Sequence, residues 1–302
     1  MARWETESTR TIPEWFFEAV ETPYQDRLVE VDECDVAYQL WEGGAGAPLL
    51  FLHGMNAHAH WWDFIAPRLL DDHRAVAMSF TGMGDSDYRY EYDGATYAAE
   101  IKAVCDDAGF GDDVVLVAHS FGGNMAVKAA GLFPGRFGGL ILVDSGIRHP
   151  DEPVPQRPPM GGRAKVYPDK ESALARFRLQ PPQPCENAYV LEYIARNSLM
   201  PVEGGGWAWK FDEDLPGTLV NAERDPDDYR RLDLPVGLIY GEHSALFSER
   251  TLAYMRELIP RQVPAVAVAD AQHHVFLDQP LAFVEALRGM LAELSQTADP
   301  GG

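Results

Sequence analysis

Basic residues are scarce in this chain, and long apolar runs are missing. The 302 residues include 25 lysines and arginines against 47 aspartates and glutamates, which gives a formal net charge of -22. A chain this acidic offers no basic face to a phosphate backbone, so we expect no nucleic-acid partner. Residues 1–10 are polar and no run approaches the roughly 18 apolar residues of a membrane helix, so we expect no membrane span and a cytoplasmic protein.

Cysteine is also rare, with three widely separated residues: Cys34, Cys105 and Cys185. Their number is odd and their spacing fits no metal site, so we expect reduced thiols, no disulfide and no zinc. His53, His58 and His60 resemble a metal cluster in the sequence, but a metal site needs further convergent ligands that the sequence does not show. The sequence therefore predicts no metal and no organic cofactor.

What the chain does contain is a series of short, almost continuous apolar runs: Leu49–Leu52, Ala75–Phe80, Val114–Ala118, Leu140–Val143, Val236–Tyr240 and Val263–Val268. Such runs are typical of strands buried on both faces of a sheet. Polar and apolar side chains alternate over residues 27–33 and 35–42, which predicts an exposed hairpin before the first of these runs. Segments with helical spacing separate the runs: 97–108, 124–133, 248–259 and 281–294. We therefore predict an α/β fold with a mostly parallel sheet flanked by helices.

One segment interrupts the alternation of strand and helix. Residues 149–233 are rich in proline and contain no strand-like apolar run, while 172–179 and 186–199 have helical spacing. We predict a core formed by residues 1–148 and 234–302, with 149–233 inserted after strand six as a mainly helical cap. Because open sheets bind ligands at the carboxyl ends of their strands, we expect the cap to cover that edge. The alternative is a helical decoration packed away from the site.

The run Val114–Ala118 leads directly into a serine flanked by small residues, in the segment Ala118-His119-Ser120-Phe121-Gly122-Gly123. A strained turn from strand to helix of this kind exposes a nucleophilic hydroxyl. A serine hydroxyl needs a histidine to accept its proton and a carboxylate to orient that histidine. His273 follows the last predicted strand, where its loop can reach Ser120, and His274 is its neighbouring rival.

Together these features resemble the α/β-hydrolase superfamily, over roughly residues 25–295. The motifs that carry the resemblance are His53-Gly54 after strand three, Trp62, the turn Gly82-Met83-Gly84-Asp85-Ser86, the Ser120 turn and the His273 loop. In that family the histidine stands five residues before an acidic residue and seven before a proline, as His273 does relative to Asp278 and Pro280. The resemblance also implies an oxyanion hole formed by the amides of Met55 and Phe121, which would stabilise a tetrahedral intermediate.

The sequence departs from the family pattern at the triad acid. The loop after strand seven reads Gly241-Glu242-His243-Ser244, so a serine stands where the family usually has aspartate. Asp144 follows strand six, beside the strand that leads to Ser120, and some branches of the superfamily, including certain lactonases, take the acid from this position. We therefore predict the triad Ser120, His273 and Asp144, with Glu242 and then Asp270 as the alternatives. A second departure is Ser79, where the family usually has a structural aspartate.

A serine nucleophile favours acyl transfer, so the resemblance predicts a serine esterase or lactonase-like enzyme. We expect a small hydrophobic ester with an apolar acyl or aryl group as substrate, in a pocket formed by five residues: His53, Tyr189, Tyr193, Trp207 and Trp209. The alternatives are a thioesterase or amidase, a carbon-carbon bond hydrolase with the same site, and a non-enzymatic ligand receptor on the hydrolase fold. The sequence does not indicate the oligomeric state.

Overall fold

The computed structural model describes residues 12–152 and 165–298. The polar segment 1–10 and several prolines of the predicted cap (Pro153, Pro155, Pro158 and Pro159) lie outside the described residues. The centre of the molecule is an eight-stranded sheet. Its strands are β1 Gln25–Val31, β2 Cys34–Trp41, β3 Gly46–Leu52, β4 His73–Met78, β5 Val115–His119, β6 Gly139–Val143, β7 Val236–Gly241 and β8 Ala265–Val268.

The strands lie in the order β1-β2-β4-β3-β5-β6-β7-β8. The β1–β2 hairpin is antiparallel and β2 also pairs antiparallel with β4, whereas every pair from β4 to β8 is parallel. This topology confirms the predicted α/β fold with a mostly parallel sheet. It also brings the carboxyl ends of β3, β5, β6 and β7 to one edge of the sheet.

Helices cover both faces of the sheet. Their bounds are α1 Glu14–Val20, α2 Gly94–Asp107, α3 Phe121–Leu132, α4 Lys170–Leu174, α5 Ala188–Asn197, α6 Leu215–Thr218, α7 Pro226–Arg230, α8 Glu249–Leu258, α9 Val275–Asp278 and α10 Pro280–Ala298. Side chains of β5 alternate between two apolar cores: Leu116 packs with residues of α2, α3 and α8, and Val117 packs with residues of α1 and α10. Because both faces of β5 are buried, its sequence is a continuous apolar run. Among the described residues, no helix is both long and apolar enough to cross a bilayer.

Between β6 and β7 the structure has more than the helices that we expected. Leu199–Pro201 pairs antiparallel with Trp207–Trp209, and Leu219–Val220 pairs in parallel with Tyr92–Asp93, just before α2. Three glycines with positive φ angles, residues 204–206, form the turn of the first pair. The helices are also shorter than predicted, since α4 ends at Leu174 and α5 at Asn197. The division into a core and a cap stays a prediction.

Candidate active site

Ser120 lies between the end of β5 and the beginning of α3. Its backbone has φ 53° and ψ -110°, a conformation that residues with side chains rarely adopt. The turn is fixed on both sides of the residue. The amide of Ser120 donates to the carbonyl of Val143 at 3.1 Å, and its carbonyl accepts from the Ser145 hydroxyl at 2.7 Å. These contacts hold the side chain at the carboxyl edge of the sheet.

Two glycines after Ser120 allow α3 to approach the neighbouring loops. A β-carbon on Gly122 would lie 2.5 Å from the carbonyl oxygen of His53, and one on Gly123 would lie 2.4 Å from the Ser145 Oγ. The Gly122 amide donates to that His53 carbonyl at 3.1 Å. The small residues in the serine motif are therefore required by close packing of α3 against the loops that follow β3 and β6.

The loop after β3 carries the predicted oxyanion hole. His53 is fully buried, and its two ring nitrogens contact backbone groups: Nδ1 lies 2.7 Å from the Gly54 carbonyl, and Nε2 accepts from the Phe80 amide at 3.0 Å. Burial lowers the pKa of His53 to about 4, so the ring is neutral at pH 7. Within residues 12–152 and 165–298, neither the Met55 amide nor the Phe121 amide has an acceptor, so both are available to a ligand.

His273 connects Ser120 to a carboxylate. Its Nε2 lies 3.0 Å from the Ser120 Oγ, and its Nδ1 lies 2.7 Å from the Asp144 Oδ1. Both side chains of the histidine–aspartate pair are almost fully buried. Because a carboxylate can only accept, Nδ1 carries the proton and Nε2 is free to receive the serine proton. The structure thus brings Ser120, His273 and Asp144 together, with Asp144 rather than its rivals beside the ring.

Ser244 stands where the family usually has the triad acid, and its hydroxyl binds Asp144, the residue predicted to act as the acid instead. Its Oγ lies 2.7 Å from the Asp144 Oδ1 and accepts from the amides of Leu246 at 3.1 Å and Phe247 at 3.2 Å. With two amides donating to its oxygen, the hydroxyl proton points to the carboxylate. The Gly241 amide donates to the other oxygen of Asp144 at 3.0 Å. The end of β7 and the loop after it therefore supply two donors to an acid that follows β6, instead of the acid itself.

The two alternative acids lie on the surface. The side chain of Glu242 is 51% exposed and that of Asp270 is 84% exposed, and both approach His243 at 3.9–4.0 Å. The Asp270 amide donates to Glu242. The structure therefore gives neither of these second-choice carboxylates a contact with His273, and Asp144 stays the predicted acid.

Asp278, the acidic residue five positions after His273, binds the loop that carries the histidine. Its carboxylate accepts from the Gln272 amide at 2.8 Å and from the Gln183 side chain at 2.8–2.9 Å. Asn187 donates to the carbonyls of Leu277 and Asp278, and Gln183 also accepts from the His274 amide. The loop that carries His273 is thereby tied to the segment between α4 and α5. This tether could not be predicted from the sequence, because Gln183 and Asn187 belong to no motif.

The four aromatic residues predicted to form the pocket have other contacts. Tyr189 and Tyr193 pack edge-on against Phe16 of α1, and the Tyr193 hydroxyl donates to Asp63 at 2.5 Å. Trp207 and Trp209 join a small apolar cluster around Tyr167. The fifth pocket residue, His53, is buried beneath the oxyanion loop. These contacts hold the segment 165–233 together and to the core, and the prediction that the five side chains line a substrate pocket stays a prediction.

The histidines that could suggest a metal site have separate partners. His58 Nε2 lies 2.8 Å from the Ser198 hydroxyl, and His60 Nδ1 lies 2.7 Å from Asp63. Ring nitrogens of His119, His273 and His274 come within 4.8 Å of one another. However, His273 uses both nitrogens on Ser120 and Asp144, and His119 donates to the His273 carbonyl at 3.1 Å. This cluster is arranged to support the triad histidine, and a metal ion there would have to displace those hydrogen bonds.

A further charged residue, Arg224, lies beside the serine turn. The Arg224 guanidinium approaches the Ser120 carbonyl at 3.4 Å, from the segment between α6 and α7. No motif contains Arg224, and 103 residues separate the two in the chain, so only the fold could reveal this contact.

Comparison with known proteins agrees with this architecture. Residues 49–286 match the alpha/beta hydrolase family. The chain belongs to this family. It is 26% identical to the esterase Rv0045c of Mycobacterium tuberculosis, over 82% of this chain and 84% of that protein. It is 25% identical to the 2-(acetamidomethylene)succinate hydrolase of Mesorhizobium japonicum, over 81% of this chain and 88% of that protein.

A solved structure of similar fold is the thioesterase domain from the curacin biosynthetic pathway. It superimposes with a TM-score of 0.70 at 21% identity, and the match covers 88% of this chain and 99% of that domain. At this identity the likeness concerns the fold. As a member of the alpha/beta hydrolase family, the protein is expected to bind a small-molecule substrate at the carboxyl edge of its sheet.

Proposed function

We propose that this protein is a serine hydrolase that cleaves carboxylic esters, including lactones, through an acyl-serine intermediate. The observation that carries the proposal is the chain of hydrogen bonds from the Ser120 Oγ to His273, at 3.0 Å, and from His273 to Asp144, at 2.7 Å. The buried carboxylate fixes the tautomer of the ring that would receive the serine proton.

In the proposed reaction the Ser120 Oγ attacks the ester carbonyl carbon while its proton moves to the His273 Nε2. The carboxylate of Asp144 stabilises the resulting imidazolium, and the amides of Met55 and Phe121 donate to the oxyanion. The C–O bond to the alcohol then breaks, and the alkoxide leaves with the proton from His273. Water, activated by His273 in the same way, releases the acid and regenerates the serine.

The bond type follows from the nucleophile. An alkoxide forms an acyl-enzyme that water can cleave, so a serine suits esters and lactones, and a relative with 26% identity is named an esterase. The apolar acyl or aryl group expected from the aromatic residues of the segment 165–233 stays a prediction, because those rings also pack against α1 and against one another. The proposal therefore specifies the ester bond that is cleaved and does not specify the polarity of the acyl group.

Two alternative functions are less favoured by the site. A carbon-carbon bond hydrolase with this fold usually has its acid after strand seven, where this chain has Ser244. A ligand receptor would be favoured by a missing carboxylate, and Asp144 at 2.7 Å from His273 argues against that. Thioesters and amides remain substrates for the same chemistry and belong in the test.

The experiment combines active-site labelling with turnover. We expect a fluorophosphonate probe to label the wild-type protein on Ser120, and short p-nitrophenyl esters to be hydrolysed with burst kinetics. Ser120→Ala should abolish both signals. Ser295→Ala, an exposed serine on α10, is the matched control and should leave both unchanged. Labelling at another residue, or full ester turnover by the Ser120→Ala variant, would refute the proposal.

A further inference from the structure

The segment between α6 and α7 crosses the beginning of α3, next to the serine turn. Leu219–Val220 pairs with Tyr92–Asp93, and the Asn221 side chain donates to Asp93 at 2.6 Å. One turn after Ser120, the Asn124 side chain donates to the Ala222 carbonyl at 2.5 Å. The backbone that precedes Arg224 is therefore anchored at three successive points. This rigidity fixes where the arginine side chain can reach.

Arg224 is a partly buried cation with no acidic partner among the residues that the structure describes. Its Nη2 lies 3.4 Å from the Ser120 carbonyl oxygen, a long contact with a neutral acceptor. Its Nε is buried and has no acceptor. Removing a guanidinium from water without a counter-charge is costly, because the charge loses hydration and gains no ionic partner.

The buried neighbour of Arg224 is Tyr229. Tyr229 is fully buried, and burial raises the pKa of its hydroxyl, whereas the charge of Arg224 and a side-chain hydrogen bond between the two residues oppose that rise. A neutral phenol supplies no counter-charge to the guanidinium. Two acidic residues near Arg224 in the chain have other partners, since Asp228 pairs with Lys128 at 3.3 Å and Asp225 caps α7.

Arg224 has no acidic partner among the described residues although the chain has a net charge of -22, so a shortage of carboxylates does not explain the missing partner. The carboxylates that could have neutralised it outnumber the basic residues almost two to one. A guanidinium binds a carboxylate through two parallel hydrogen bonds, which is the strongest and most directional interaction available to it. The carbonyl and the nucleophilic oxygen belong to the same residue, Ser120, so the guanidinium lies within about 8 Å of the reacting atom on covalent geometry.

We propose that Arg224 binds a carboxylate carried by the substrate, and that preferred substrates are monoesters of short dicarboxylic acids. This inference rests on the proposed ester hydrolysis and adds the chemical class of the acyl group. The separation suits two or three carbon atoms between the carboxylate and the ester carbonyl. Arg224 then acts as a specificity-determining residue, and the triad performs the chemistry on any ester that reaches Ser120.

A bracing role for Arg224 predicts a different outcome. The Ser145 hydroxyl already holds the Ser120 carbonyl at 2.7 Å, so the longer contact from Arg224 adds little to the turn. If Arg224 merely stabilised the turn, its loss would slow every ester equally. If it binds a carboxylate, its loss should affect charged esters alone.

The test compares monoethyl glutarate with ethyl pentanoate, in which a methyl group replaces the carboxylate. Ethanol release gives kcat and KM for the wild-type protein, Arg224→Gln and the control Arg231→Gln, an exposed residue at the end of α7. We expect the wild type to prefer the charged ester. Arg224→Gln should lower kcat/KM for the charged ester about 10- to 100-fold, mainly through KM, and change the neutral ester less than about threefold. Arg231→Gln should change neither.

A binding measurement separates this inference from the proposed function. Calorimetric titration of monoethyl glutarate into Ser120→Ala and into Ser120→Ala with Arg224→Gln reports carboxylate recognition without turnover. If esters are not cleaved but binding requires Arg224, the proposed function fails and the carboxylate site stands. If esters are cleaved and Arg224→Gln slows both equally, or if binding does not require Arg224, the carboxylate site is refuted and the hydrolase stands.

Discussion

The acidic residue of the triad can be moved by mutation from position 144, after β6, to position 244, after β7. Asp144→Asn should reduce kcat about 10⁴-fold, because an amide no longer stabilises the imidazolium of His273 and favours the wrong tautomer. Asparagine tolerates the positive φ of this position, 43°, so the backbone should not change. In that background Ser244→Asp introduces a carboxylate in the loop after β7. The double variant should recover part of the lost rate.

The size of the recovery follows from the distances. The Ser244 Oγ and the His273 Nδ1 are each 2.7 Å from the same oxygen of Asp144. An aspartate oxygen extends about 1 Å farther from the backbone than a serine oxygen, so it comes close to the ring nitrogen. We expect the double variant to be about 10- to 100-fold faster than Asp144→Asn, since a hydrogen bond to a charged group contributes about 1.5–3 kcal/mol. Ser244→Asp alone should be slower than wild type, because two adjacent carboxylates repel each other.

The assay is steady-state hydrolysis of a p-nitrophenyl ester by the four proteins, with unfolding by urea measured in parallel. Ser248→Ala is the matched control, because this serine of the same loop caps α8 and does not contact Asp144. It should cost about 1 kcal/mol of stability and leave kcat unchanged. Wild-type activity in Asp144→Asn, or a double variant no faster than that single variant, would refute the assigned role of Asp144.

Three further predictions concern the groups around the triad. Gly122→Ala should lower kcat at least about tenfold, because its β-carbon would lie 2.5 Å from the His53 carbonyl and displace α3; unchanged kinetics would contradict this packing. Asp278→Asn should lower kcat several-fold and shift the urea midpoint downward, because the loop of His273 loses a charged acceptor; an unchanged midpoint would show that the tether is weak. His53 is neutral in the fold and has its pKa lowered from 6.5 to about 4, so it contributes stability above pH 6.5 that is lost as pH falls toward 4. The stability gap between wild type and His53→Gln should therefore shrink by about 2 kcal/mol from pH 7 to pH 5 in urea unfolding, whereas a constant gap would contradict a buried neutral ring.

The sheet was predictable from sequence because its strands are buried on both faces. Leu49–Leu52 and Val114–Ala118 had to be apolar at every position, and the structure pairs them as neighbours. The hairpin between Leu199 and Trp209 was missed because each strand has three residues, too few for a pattern. The glycines at 204–206 are the signal that could have indicated its turn.

Site residues that belong to catalytic motifs could be predicted from the sequence. Site residues that reach the serine only through packing of distant segments could not. Ser120 and His273 follow buried strands in a recognisable order, so their sequence context was informative. The sequence favoured Asp144 and kept Glu242 and Asp270 as alternatives, and the 2.7 Å contact of Asp144 with His273, against the exposure of the other two, distinguishes them. Arg224 reaches Ser120 through a long-range contact that no local pattern encodes.

The central claim is that Ser120 becomes acylated by an ester with His273 as its base. Rapid quenching of the wild-type protein with a p-nitrophenyl ester, followed by peptide mass spectrometry, tests it most directly. The account predicts that the peptide containing Ser120 gains the mass of one acyl group within the burst, and that His273→Gln slows this gain by orders of magnitude. An unmodified Ser120 peptide during rapid ester turnover would contradict the account.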